Sequence, residues 1–187
     1  MTKPRLCLAA ALQVAAAEWA MDPARSAITF SGVQVGAPFS GRFERFAAKI
    51  EFDPAQPEAG RATVLIDLGS ARTGDVQRDE ALPQKEWFDV KGASQARFEA
   101  ARILDKGRGD YETVGTLTIR GVSRPLTHPF HLTRDRGQAR ATGHVGLVRT
   151  AFGVGQGAWA SGQWVGLEVG VDMDLVATTP SAPGEGG

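Results

Sequence analysis

The chain has very few of the residues that would define a redox, metal or nucleic-acid site. Cys7 is the single cysteine among 187 residues, and it lies in a stretch that we expect to be removed. The mature protein would then have no disulfide, no thiolate metal ligand and no cysteine nucleophile. A basic excess is also absent, because Lys plus Arg and Asp plus Glu both number 21. This balance argues against a nucleic-acid partner.

A long hydrophobic run is missing as well. Lys3 and Arg5 precede a largely apolar stretch from Leu6 to Ala17 that ends in three alanines, which is typical of a secretory signal peptide. This stretch is too short for a transmembrane helix, which needs about 20 residues, and no later segment is apolar enough. We predict a signal peptide at residues 1–17, a periplasmic domain at residues 18–177 and a disordered tail at residues 178–187. The alternative for the first segment is a frayed amphipathic N-terminus.

Most of the remaining chain alternates apolar and polar residues with the two-residue period of β-strands. The clearest case is residues 165–176, where Val169 and Val171 share one face and Asp172 lies on the other. About eight such segments are separated by turn signals, and residues 106–110 and 135–137 predict hairpins. Eight antiparallel strands with one apolar face predict an all-β fold, either a closed barrel or a sandwich.

One polar segment interrupts this alternation. It runs from Thr73 to Asp79 and is followed by Trp87-Phe88-Asp89. Asp75 lies near its start, good helix formers follow, and Pro83 lies beyond its end, so we predict a short helix over residues 75–82. An all-β chain with one such excursion suggests a barrel with a plug or lid, which is typical of a protein that holds a ligand.

Patterns for catalysis or metal binding are weak. His128 and His131 are three residues apart, which places them on opposite faces of a strand, and His144 adds no tight ligand spacing. The glycine-rich residues 153–157 lack the strand-loop-helix context of a dinucleotide loop and are better interpreted as a hairpin. No Gly-x-Ser-x-Gly elbow is present. We predict no enzyme activity, no metal and no chemical cofactor.

Several motifs, in order along the chain, carry a family resemblance. The most specific is Gly115-Thr-Leu-Thr-Ile-Arg-Gly-Val-Ser-Arg-Pro125. The others are Trp19-Ala-Met-Asp22, Ser26-Ala-Ile-Thr-Phe30, Gly41-Arg-Phe43, Ile50-Glu-Phe-Asp-Pro54, Thr73-Gly74, Arg78-Asp79, Trp87-Phe-Asp89, Ala96-Arg-Phe98 and Arg149-Thr-Ala-Phe-Gly-Val154. With these motifs the chain resembles the YceI-like family of periplasmic polyisoprenoid-binding proteins over residues 19–176.

The resemblance implies an eight-stranded antiparallel lipocalin-like β-barrel with one short helical excursion. Its lumen would bind a polyisoprenoid lipid or an isoprenoid quinone for transport, storage or sequestration, and the quinone would be cargo rather than a cofactor. Homodimers and transient membrane contact are also expected. The expected lumen residues are Phe30, Phe46, Ile50, Val64, Ile66, Trp87, Phe88, Phe98, Leu117, Ile119, Phe130, Leu147, Arg149, Val169 and Val171.

Some roles stay open at this point. Trp87 and Phe88 either cap the barrel mouth or anchor the excursion, and Arg78 and Asp79 either pin this loop or meet a polar head group. Arg149 either contacts a head group or pairs with an acidic residue. Two other functions are also open: a stress-related interaction protein with a filled barrel, and an enzyme that acts on a lipid head group.

Overall fold

The computed structural model describes residues 16–179. The expected signal peptide lies outside these residues except for Ala16 and Ala17, and so does the expected tail from residue 180 onward. The described elements are β1 Glu18–Met21, β2 Ala27–Gln34, β3 Ala37–Phe43, β4 Phe46–Glu51, β5 Arg61–Asp67, β6 Ala71–Arg72, α1 Val76–Ala81, β7 Gln95–Gly107, β8 Asp110–Ile119, β9 Val122–Asp135, β10 Gln138–Val148 and β11 Glu168–Thr178. No helix within residues 16–179 is long and apolar enough to cross a bilayer.

The strands close into a ring of eight positions. The hydrogen-bonded order is β1-β4-β5-β7-β8-β9-β10-β11, and pairing between β11 and β1 completes the circle. β2, β3 and β6 continue the sheet from the same edge of β11 that pairs with β1. Three bent strands therefore occupy one position each: β1 with β2, β3 with β4, and β5 with β6. The predicted eight-stranded antiparallel barrel is confirmed, and the sandwich is excluded.

The bend between β3 and β4 resolves a conflict in the sequence pattern. Phe43 and Phe46 are three residues apart, so a straight strand would place them on opposite faces. The strand is interrupted at residues 44–45, and both rings pack into the same core cluster. Ser70, which is fully buried, holds the bend, because its Oγ accepts the Arg45 N–H at 3.0 Å and donates to the Asp67 carbonyl at 2.7 Å.

Four hairpins of the barrel use the same two-residue turn. Their central pairs have positive φ at both residues: Val35-Gly36, Arg108-Gly109, Arg120-Gly121 and Arg136-Gly137. This is the type I′ geometry, whose twist matches that of the flanking strands and which favours glycine at its second position. The hairpins predicted at residues 106–110 and 135–137 are confirmed.

Two predicted boundaries change. The helix is confirmed as α1, and the Asp75 side chain caps it by accepting the Arg78 N–H at 2.9 Å. The last strand begins at Glu168 rather than at Val165 and extends through Thr178. Val165 instead bridges to Gln34 at the end of β2, and Leu167 is 36% exposed. The contact with β2 therefore keeps residues 165–167 out of β11.

The ladder between β9 and β10 is incomplete. Their pairing ends at Phe130 and Gly143, although β9 extends back to Val122 and β10 continues to Val148. We call this unpaired stretch, residues 122–129 beside residues 144–148, the β9–β10 seam.

Two prolines explain the seam. The Leu132 N–H donates to the Gly109 carbonyl beside β8, so alternation directs the N–H groups of the odd-numbered β9 residues toward β10. Pro125 and Pro129 occupy two of these odd positions and have no N–H to donate. The edge of β9 that faces β10 therefore lacks two of the donors that would continue the ladder.

Both ends of the barrel are packed. At one end, Tyr111 stacks on Phe130 at 5.5 Å, and Phe52 meets Tyr111 edge-on at 5.6 Å. Trp19 joins them by donating its Nε1–H to the Phe52 carbonyl at 2.9 Å. We call these four aromatic residues the end cluster. The opposite end is covered by the excursion, residues 73–94, and by the β10–β11 connection, residues 149–167.

Candidate functional site

The barrel interior contains two adjoining chambers. The end-cluster chamber has a volume of about 160 Å³ and reaches Trp19, whereas the excursion chamber has a volume of about 130 Å³ and reaches Trp87. A single buried water needs only about 10–15 Å³, so neither chamber is a mere packing defect. Four side chains border both chambers: Ile66, Leu117, Leu147 and Val171.

The structure brings nearly all of the predicted lumen residues to the chamber walls. Besides the four shared residues, Ile50, Val64, Phe98 and Phe130 border the end-cluster chamber. Phe30, Trp87, Phe88, Ile119, Arg149 and Val169 border the excursion chamber. Period-two alternation located these residues because the inward face of a barrel strand is continuous.

Phe46 is the exception, because it borders neither chamber. It is the first residue of β4 and lies at the bend, where Phe43 and Ile66 form the wall instead. Its ring packs against the core cluster. Phe46 is therefore a core-packing residue and not the lumen residue that was predicted.

The sequence reasoning missed other wall residues. Met173 and Leu175 border the end-cluster chamber, and the alternation of β11 was sufficient to find them. Trp19 also lines it, but a four-residue strand gives no reliable period. Phe39 borders the excursion chamber, and its strand contains Ser40, Gly41 and Arg42 in place of a clear apolar face.

Arg149 is the centre of the β10–β11 connection. It is 5% exposed, and all five of its N–H groups point at backbone carbonyls. Nε donates to Gly166 at 2.9 Å, Nη1 to Val154 at 2.8 Å and Gly155 at 3.4 Å, and Nη2 to Trp159 and Val165. Burial lowers the pKa of this guanidinium. The arrangement leaves no donor for a lipid head group and includes no acidic partner among the described residues.

The excursion is pinned by its own polar residues. Asp79 Oδ1 accepts both the N–H and the Oγ1–H of Thr73, each at 2.7 Å. Arg78 donates twice to Gln34 Oε1, at 3.1 and 2.9 Å, and its guanidinium lies 4.4 Å above the ring centre of Phe39. The structure therefore favours loop pinning for Arg78 and Asp79 over contact with a head group.

The excursion and the β10–β11 connection interlock above the excursion chamber. Arg120 Nη1 donates to the carbonyls of Trp87 at 2.8 Å and Gly153 at 2.7 Å. The Trp87 ring lies 5.5 Å from that of Trp159, and Phe88 is buried in the core cluster. Trp87 and Phe88 thus anchor the excursion and also form part of the chamber wall.

His128 is the titratable residue of the end-cluster chamber. Its side chain borders the chamber, the residue is 7% exposed, and burial lowers its pKa, with a smaller contribution from His144. His131, on the outer face of the same strand, contacts Asp110 at 2.7 Å. No group of three potential metal ligands is present within residues 16–179.

The pKa of His128 predicts a pH-dependent stability. The unfolded imidazole takes up a proton near its usual pKa of 6.5, whereas the folded one does so only at lower pH. Between these values the unfolded state binds more protons, so acidification lowers the free energy of unfolding. Between about pH 7.5 and 5.5, we expect urea denaturation to show a smaller decrease in the free energy of unfolding for His128→Leu than for wild type. Parallel pH curves would contradict the prediction.

The comparisons with known proteins agree with the fold. The family model described as "YceI-like domain" matches residues 19–177. The curated UPF0312 protein of Vibrio parahaemolyticus is 29% identical over 125 residues, which cover 65% of this chain and 66% of that protein. The chain thus spans just under two thirds of this relative.

Two solved structures extend the similarity over most of the barrel. The crystal structure of BcnA from Burkholderia cenocepacia is 34% identical, with a TM-score of 0.82, and the match covers 84% of this chain and 99% of BcnA. A polyisoprenoid-binding domain from Saccharophagus degradans, implicated in plant cell wall breakdown, has a TM-score of 0.70 over 88% of this chain and 99% of that domain. At 18% identity, the second likeness shows the fold alone. By its family match and its barrel, the chain belongs to the YceI-like family.

Proposed function

We propose that the protein binds the chain of a polyisoprenoid lipid or isoprenoid quinone inside the barrel, and that it carries, stores or sequesters this lipid in the periplasm. The observation that supports it most is the pair of adjoining chambers, whose walls are almost entirely hydrocarbon. A polyprenyl chain exposes only apolar groups, and each buried methylene contributes roughly 0.8 kcal/mol. Two chambers in series suit an extended chain better than a compact ligand.

The polyisoprenoid-binding activity named for the S. degradans domain is carried to this chain only as part of the proposal. Export rests on the signal-peptide pattern of residues 1–17. Because the side chains leave two chambers in the barrel interior, an interaction protein with a filled barrel is a weaker alternative. The head-group enzyme is weaker as well, because Arg149 and Asp79 hold backbone and loop groups. The homodimer stays a prediction.

Native mass spectrometry of the mature protein, purified without detergent, tests the proposed function. We expect a bound mass at about one molecule per barrel, and organic extraction should release a prenyl lipid or quinone. A bare protein that also fails to take up added polyprenyl lipid would overturn the proposal and favour the interaction protein.

The rim at the β2–β3 hairpin supports transient membrane contact. Val35 is 70% exposed and Trp164 is 49% exposed, and the Val35 N–H donates to the Trp164 carbonyl at 2.8 Å. Residues 150–167 contain no Lys, Arg, Asp or Glu. Because residues 150–167 carry no charge and expose a tryptophan, we propose that this part of the rim touches the bilayer interface. In flotation with phosphatidylcholine vesicles, wild type should rise with the vesicles and Trp164→Ser should not. Equal flotation of the two proteins would contradict this proposal.

A further inference from the structure

Three side chains with polar atoms border the end-cluster chamber: Trp19, Thr113 and His128. Trp19 donates to the Phe52 carbonyl at 2.9 Å, and Thr113 Oγ1 donates to the His128 carbonyl at 3.2 Å. The His128 ring has no hydrogen-bond partner among the described residues. It is also more than nine-tenths buried. An unpartnered polar group of this kind costs free energy in an apolar site, unless a ligand or water pairs with it.

The ring nitrogens of His128 border open space. Within residues 16–179, every buried side-chain nitrogen or oxygen that a water molecule cannot reach has a hydrogen-bond partner. The ring nitrogens of His128 have no such partner, so a water molecule or a ligand atom can reach them. A neutral imidazole there offers one N–H donor and one acceptor lone pair.

The position of this imidazole coincides with the break in the barrel wall. A Cβ added to Gly143, where the β9–β10 ladder ends, would lie 2.5 Å from His128 Cε1 and 3.1 Å from His128 Nε2. The ring therefore occupies the space that a side chain at residue 143 would fill. The ring lies at the end of the β9–β10 seam where the ladder resumes. The two ends of the barrel, in contrast, are packed by the end cluster and the excursion.

The charges around the chambers restrict the kind of polar group. No Lys or Arg borders the end-cluster chamber. In the excursion chamber, Arg149 already donates all of its N–H groups to carbonyls. A phosphate or pyrophosphate would thus lose its hydration without gaining a cation, which is strongly unfavourable. A neutral oxygen needs only one hydrogen bond.

We propose that His128 binds a neutral oxygen of the lipid, a hydroxyl or carbonyl group, where the β9–β10 seam meets the end-cluster chamber. The hydrocarbon chain then extends past Leu117 and Val171 into the excursion chamber. This inference rests on the proposed function and adds to it the chemistry and position of the polar end of the ligand.

Three probes with one branched skeleton test this inference: phytane, which is a hydrocarbon, phytol, which adds a hydroxyl, and phytyl phosphate. Each is mixed with wild-type protein and its bound fraction is measured by native mass spectrometry. We expect phytol to bind about threefold to tenfold more tightly than phytane, as one neutral hydrogen bond implies. Phytyl phosphate should bind more weakly than phytol.

Two matched histidine variants locate the effect. In His128→Leu the preference for phytol over phytane should fall to about one, and His128→Gln, which keeps a donor and an acceptor, should retain part of it. His131→Leu removes a histidine from the outer face of the same strand and should keep the full preference.

The outcomes separate the two proposals. Equal binding of phytol and phytane by wild type would overturn the role of His128 and leave lipid binding intact. A phytol preference that survives in folded His128→Leu, or a preference for the phosphate, would also overturn it. Failure of wild type to bind any of the three probes would overturn the proposed function together with this inference.

Discussion

Replacing Arg149 with methionine should lower the free energy of unfolding by about 3 kcal/mol or more. The substitution keeps much of the aliphatic volume but leaves five carbonyls of the β10–β11 connection without their donor. Each orphaned buried acceptor costs about 1–3 kcal/mol. Removal of a buried cation recovers part of this sum, because its desolvation penalty disappears. Urea denaturation followed by tryptophan fluorescence measures the difference.

Arg124→Met is the matched control for this variant. Arg124 is exposed and makes one hydrogen bond, from Nε to the Ala151 carbonyl at 3.2 Å, so its loss should cost less than about 1 kcal/mol. Arg149→Lys should fall between the two, because lysine keeps the charge but lacks the planar fork of five donors. Similar stabilities for Arg149→Met and Arg124→Met would show that the carbonyl cage contributes little.

Filling the end-cluster chamber should weaken lipid binding strongly and leave the barrel folded. Ala141 borders this chamber and lies opposite Leu132 and Leu175 in the adjoining strands. In Ala141→Phe the ring would occupy space that the lipid chain needs. We expect the Kd for phytol, measured by titration of tryptophan fluorescence, to rise by about tenfold or more. The stability should change by less than about 1.5 kcal/mol, because the ring enters an existing chamber.

Thr142→Phe is the control for chamber filling, since Thr142 is exposed on the outer face of the same strand. It should bind phytol as wild type does, and a folded Ala141→Phe with wild-type affinity would place the lipid elsewhere. Gly115→Phe, which the sequence pattern would suggest for the same test, is unsuitable. A Cβ at Gly115 would lie 2.0 Å from the Glu99 carbonyl oxygen, so that substitution would break the β7–β8 ladder.

Much of the chamber wall could be predicted because strand alternation is local. Val169 and Val171 face inward for the same reason that Glu168 and Asp172 face outward, and this needs no knowledge of neighbouring strands. The glycine turns and the Asp75 cap are likewise read from a few adjacent residues. The seam also had a local signal: Pro125 and Pro129 are four residues apart, which places both missing N–H groups on one edge of the strand.

The sequence by itself thus determined the strand period, the hairpins, the short helix and the inward faces, all of which depend on contacts within a few residues. Tertiary structure alone decided the rest, because partners distant in the chain set it. The carbonyls that accept the N–H groups of Arg149 include that of Gly166. Ser70 holds the bend that removes Phe46 from the chamber wall. The isolation of the His128 imidazole arises only when β8, β9 and β10 enclose it in a chamber of hydrocarbon.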